Sequence, residues 1–205
     1  MPYSYFKTIT SVKKAFGLKT VEGKRLFLHI PPVVPSERLS DYLGQTLPLA
    51  SVGSEKARSE LIISPILIET RRLLNQEVSI FSGEDFTVDE SSGLNGVCDF
   101  LVSKSSEILS IEAPVVVLVE AKKSDIAGGL GQCVAEMVAA QRFNQEQGQS
   151  IDKIYGVVTN GVLWRFLYLQ QDTVSIDSID YSLPPVDQIL GVLVWMLKQP
   201  NLGVS

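Results

Sequence analysis

The sequence predicts an α/β domain, a mixed central sheet with helices packed against it, and three observations predict it. First, a helical segment, three strand-like segments, a second helix and further strands follow one another along the chain. Second, the run Val115–Val119 is apolar enough for a central strand, and the period then changes to that of a helix from roughly Gly131 to Gln147. Third, Asn160-Gly161 between two apolar runs is the best short hairpin signal in the chain, since both residues tolerate positive φ. With 205 residues there is enough chain for one compact domain with a sizeable core. Its 45% apolar and 20% charged residues match ordinary globular usage, so disorder is not expected.

In order, "YFKTITSVKKAFG" (5–17) reads as a short amphipathic helix closed by Gly17. In the stretch after it, Pro31, Pro32, Pro35 and Pro48 argue against a long regular element. Residues 1–53 therefore read as a basic helix with a proline-rich extension, and 54–205 as the main domain. A strong helix is expected over about Ser54 to Gln76, capped by Ser54 and kinked or split by Pro65. "EVSIFSG" and "DFTVDE" alternate weakly as strands, and "GVCDFLVS" does so more clearly. "KIYGVVT" and "VLWRFLYL" flank the Asn160-Gly161 turn, "DTVSI" adds a strand, and an apolar helix covers about Val186 to Lys198.

Charge narrows the partners. The net charge is −5, yet residues 1–25 hold Lys7, Lys13, Lys14, Lys19, Lys24 and Arg25 against Glu22 alone. Such asymmetry can mark an arm that meets nucleic acid, and a solvated helix face is the plainer reading. No secretory leader pattern is evident, and the late run "ILGVLVWMLKQ" is too short to cross a bilayer. Cys98 and Cys133 are expected as reduced, buried thiols of a cytoplasmic protein, and without a His cluster they make no conventional zinc site. A lone histidine, His29, excludes mechanisms that need paired histidines, and no GxSxG elbow supports a serine hydrolase.

The chemistry concentrates where the valine run ends. Side chains alternate across a strand, so Glu120 and Lys122 face the same side, about 7 Å apart in Cα position. If the strand holding Asp99 pairs antiparallel with this one through the 103–113 loop, two carboxylates and an ammonium converge at one edge. Carboxylates that close repel unless a shared proton or a divalent cation neutralises them. Oxygen ligands favour Mg²⁺, which keeps several waters and accepts phosphate oxygens, and Lys122 could orient or activate a water. That chemistry suits hydrolysis of a phosphodiester.

Asp99, a spacer of 20 residues and then Glu120-Ala121-Lys122 resemble the PD-(D/E)XK nuclease superfamily, with its restriction-endonuclease-like fold. The element order over about Ser54 to Leu169 resembles its αβββαβ core. The resemblance implies that Asp99, Glu120 and the Ala121 carbonyl bind Mg²⁺, with Mn²⁺ as a substitute, and that Lys122 is the catalytic lysine. Glu60 stands where many members carry a further acid on the first helix, and Gln132 where several branches place a glutamine. One departure is Cys98, which occupies the position before the aspartate where the motif has proline. DNA is the implied partner.

Competing readings accompany these. Glu55 competes with Glu60, and Lys123 faces away from Lys122. "GGLG" at 128–131 lacks the Lys-Ser or Lys-Thr of a phosphate loop and reads as flexible helix entry. Trp164 belongs to a core or, less simply, to a base-stacking platform. The last helix is apolar almost all round, which means deep burial or a homodimer contact. The functional alternative is a non-catalytic module that keeps the nuclease fold to bind nucleic acid or protein.

Overall fold

The computed structural model describes residues 2–200 of the chain. Its centre is an eight-stranded mixed sheet with strand order β1-β7-β6-β5-β4-β3-β2 and β8 paired to β6. The strands are β1 Lys19–Lys24, β2 Ser79–Asp85, β3 Val97–Ser103, β4 Val115–Ala121, β5 Ile154–Thr159, β6 Leu163–Gln170, β7 Thr173–Asp177 and β8 Tyr181–Ser182. The expected α/β architecture is therefore present, with β2, β3 and β4 forming an antiparallel meander. A crossover through α5 (Leu130–Glu146) then brings β5 parallel to β4, and the Asn160-Gly161 turn returns β6 antiparallel to β5.

Helices cover both faces of this sheet. α4 (Ser64–Leu73) and α6 (Asp187–Lys198) share one apolar cluster with Val117, Val119, Trp164 and Phe166. α5 shares the other with Leu101, Leu118, Val158 and Leu167. Trp164 is fully buried and donates its indole N–H to the Gly161 carbonyl at 3.1 Å, so it is a core residue and not a stacking platform. α6 is buried too, with Ile189 to Val194 enclosed in their own chain and Trp195 partly buried. Among the described residues no helix is long and apolar enough to cross a membrane.

Several elements depart from expectation for physical reasons. The helix expected over Ser54 to Gln76 is α3 (Glu55–Arg58), a π-helical turn (Ser59–Ile63) and α4 in succession. Ser54 caps it by accepting the Ala57 N–H, as anticipated. Pro65 has no N–H to offer the Leu61 carbonyl, and Thr46 Oγ1 donates to that carbonyl instead at 3.0 Å. Thr46 lies on α2 (Glu37–Ser51), a 15-residue helix where prolines argued against one. Pro31, Pro32 and Pro35 precede its cap Ser36, and Pro48 enters only the final turn, where it leaves the carbonyl of exposed Gly44 to water. Of "DFTVDE" only Asp85 lies in a strand, at the end of β2: the Asp89 carboxylate accepts from Ser91, Ser92 and Arg142 and folds the rest into a capped turn.

Residues before 54 pack within the same layers. α1 (Ile9–Phe16) ends at Gly17 in the left-handed conformation and lies on α5, while β1 pairs parallel with β7 at the sheet edge. α2 packs on the π-helical turn.

Candidate active site

β3 and β4 pair so that Phe100 lies opposite Val119 and Leu101 opposite Leu118. Continuing that ladder by one residue brings Asp99 to the level of Glu120. Leu101 and Leu118 face α5, and alternation puts Asp99 and Glu120 on that same face. The Asp99 carboxylate accepts the Ala121 N–H at 2.8 Å, where β3 and β4 no longer share ladder bonds. The aspartate of one strand thus reaches the acid-and-lysine end of the next.

Glu120 is fully buried, and both of its oxygens are engaged. Lys122 Nζ donates to one, and Gln132 Nε2 donates to the other at 2.8 Å. Lys122 is held by its own N–H, which donates to the Thr159 carbonyl at 2.8 Å, and its side chain is one-quarter exposed. The site therefore opens to solvent on the lysine side. α5 is pinned at both ends of β4. Asn144 exchanges two hydrogen bonds with the Val115 backbone at one end, and Gln132 meets Glu120 at the other.

The two glycines that bracket the start of α5 do more than loosen it. A Cβ on Gly129 would fall 2.6 Å from Val158 Cγ1 and 3.2 Å from both Glu120 Cγ and Lys122 Cε. A Cβ on Gly131 would fall 2.2 Å from the Phe6 carbonyl oxygen. Close approach, to the site in one case and to the N-terminal segment in the other, is what these positions require.

Burial pushes the Asp99 carboxyl up, against the Ala121 N–H and the Lys122 charge that favour its ionised form. Burial is likewise the first cause for Glu120, followed by the Asp99 charge, and together they push it up to about 7. For Lys122 burial works against the charge, but Glu120 outweighs it and the ammonium is held above its ordinary range. Two raised acids, one of them raised in part by the charge of the other, beside a lysine make a site where a cation would offset the charge. Among the described residues no group of three or more His, Cys, Asp or Glu side chains is placed to hold a metal ion by itself. Two carboxylates and the Ala121 carbonyl form an all-oxygen set, and that number fits Mg²⁺, which keeps several waters of its own.

Of the residues singled out from the sequence, Asp99, Glu120, Ala121, Lys122 and Gln132 come together. Glu60 does not join them: it pairs with Lys56 at 3.7 Å, and 63% of its side chain is exposed. The helix acid whose charge reaches Asp99 and Lys122 is Glu55. Sequence reasoning missed Glu136, which is fully buried, shares the Gln132 amide at 3.1 Å and leaves Oε2 without a partner. Its position four residues after Gln132 puts both on one helix face, a signal that the sequence did contain. Cys98 and Cys133 are free and buried.

An apolar surface groove lies elsewhere, between α2 and α4, lined by Arg38, Tyr42, Ile68 and Arg72, and shares no residue with the site. No family model and no curated protein matches the chain.

Proposed function

We propose that the chain is a divalent-cation-dependent nuclease of the PD-(D/E)XK type, hydrolysing DNA phosphodiesters. The observation that carries this reading is the Asp99 carboxylate bound to the Ala121 N–H, next to Glu120 and on the strand that presents Lys122. The strand directions agree with the restriction-endonuclease-like fold: an antiparallel meander, a helical crossover to a parallel strand, then an antiparallel fifth.

Asp99, Glu120 and the Ala121 carbonyl would hold Mg²⁺, or Mn²⁺ in its place. The bound ion would supply Lewis acidity toward the phosphodiester and neutralise charge that develops on it. Lys122, an ammonium at the solvent-facing side, orients the attacking water and steadies the negative charge on the phosphoryl oxygens. Gln132 holds the Glu120 carboxylate in place from α5. Water adds to phosphorus, one P–O ester bond breaks, and the departing oxygen takes a proton.

One observation favours a second reading, a non-catalytic binding module. Both Glu120 oxygens are already occupied by Lys122 and Gln132. Two measurements separate the readings. Supercoiled DNA with Mg²⁺ or Mn²⁺ should be cut by the wild type and at least about a hundredfold more slowly by Asp99→Ala and by Lys122→Ala. Calorimetry should show Mn²⁺ binding that the Asp99→Ala/Glu120→Ala double variant lacks. Equal cutting by all three proteins, or no cutting under any metal, overturns the nuclease assignment.

A further inference from the structure

Residues 2–8 form a strap along one flank of the site. Tyr3 is 1% exposed; its N–H donates to the Asn95 carbonyl at 3.0 Å and its hydroxyl to the Phe86 carbonyl. Pro2 lies 3.5 Å from where a Cβ on Gly96 would be, three residues before Asp99. At the other end the Phe6 carbonyl and the Thr8 backbone rest on Gly131, one residue before Gln132. The strap thus bridges the start of the Asp99 strand and the start of the Gln132 helix. Burial, then Cys98 and Glu136, push the Tyr3 hydroxyl up, which agrees with a strap laid over the buried acid.

On this fixed backbone Ser4, Tyr5, Lys7 and Thr8 are exposed, and two of them carry a ring or a charge. Tyr5 is 61% exposed, and Lys7 is exposed two residues later. Among the described residues Lys7 makes no salt bridge. Of the basic residues that follow, Lys13 donates to Thr20 and Lys19 pairs with Asp172, while exposed Lys14 likewise makes no salt bridge among the described residues. An exposed ring and, two residues on, an ammonium without a salt bridge are the groups that a nucleic-acid strand uses, the ring for a base and the ammonium for a phosphate.

We propose that residues 2–8 are a nucleic-acid-contacting strap bordering the site, with the Tyr5 ring as a stacking platform and Lys7 as a phosphate contact. The nature of the substrate rests on the nuclease reading. The strap delivers a strand toward Lys122, which with Asp99 and Gln132 forms the partly exposed part of a cluster whose Glu120 and Glu136 are buried.

The test is fluorescence anisotropy of a labelled single-stranded oligonucleotide and its duplex in Ca²⁺, over a salt series, with wild type, Tyr5→Ala and Lys7→Ala. Tyr5→Ala should weaken single-strand binding about tenfold and leave the salt dependence unchanged. Lys7→Ala should weaken binding to both and lower the slope of log affinity against log salt by about one. Both variants should keep the wild-type Mn²⁺ affinity and melting temperature, because neither residue touches the acids. Unchanged affinity in both variants, or a wild type that binds neither oligonucleotide, overturns the strap. If the wild type cuts DNA and the variants bind and cut as it does, the strap alone falls. If the variants weaken binding but the wild type cuts under no metal, the strap stands and the nuclease reading falls.

Discussion

Two buried glutamates, Glu69 on α4 and Glu120 on β4, lie on opposite sides of the sheet and in opposite electrostatic conditions. Glu69 accepts the Ser36 N–H at 2.8 Å and a two-point grip from Arg72 at 2.8 and 2.9 Å. Chiefly through the Arg72 hydrogen bonds, against some desolvation, its carboxyl is held down at about 2. Glu120 has a lysine and an amide, but it shares that amide with Glu136 and sits beside Asp99. The first arrangement joins the start of α2 to α4 and serves the fold. In the second, acids are left facing one another, which costs stability and is the arrangement on which the proposed cation site rests.

Breaking the first arrangement should have the largest effect. Glu69→Gln loses a charge-assisted grip and should cost about 1–3 kcal/mol at pH 7, read by urea denaturation. Because the folded carboxyl titrates below its ordinary value of 4.5, its stabilisation is present above that pH and disappears as pH falls through about 2. The two proteins should therefore converge in acid.

Glu120→Gln should go the other way, gaining about 0.5–2 kcal/mol at pH 7 without added metal while losing Mn²⁺ affinity. A carboxyl raised in the fold favours folding at low pH and ceases to do so as pH climbs from 4.5 toward about 7. The gain of the variant should appear across that window, and a loss there would remove the contrast between the two acids. The smallest effect belongs to Glu60. Its exposed pair with Lys56 contributes roughly 0–1 kcal/mol, so Glu60→Gln should melt and cut DNA as the wild type does. A large loss of cutting in Glu60→Gln would return that residue to the site.

Much of the fold was legible, and the reasons differ by element. β3 to β7, α1, α5 and α6 announce themselves by apolar runs, helical period or the Asn160-Gly161 turn. α2 was hidden because counting prolines ignores where they fall relative to the cap at Ser36. β1, "KTVEGK", has no apolar signature; it is an edge strand defined by pairing with β7. In the site, Asp99, Glu120 and Lys122 were readable because motif and strand end coincide. The failure of Glu60 to join them was not, since helix rotation through the π turn is a packing outcome.

The sequence by itself determined β3 to β7, α1, α5 and α6 and which acid and lysine end β4, because period, apolar runs and turn residues act locally. Only the tertiary structure decided the company those groups keep. The register of β3 on β4 brings Asp99 to the Ala121 N–H, and the seating of α5 brings Gln132 and Glu136 to Glu120. The contact of Phe6 and Thr8 with Gly131 sets the N-terminal strap beside them. Ionisation follows burial and the charges nearby, and those are fixed by the meeting of segments distant in the chain.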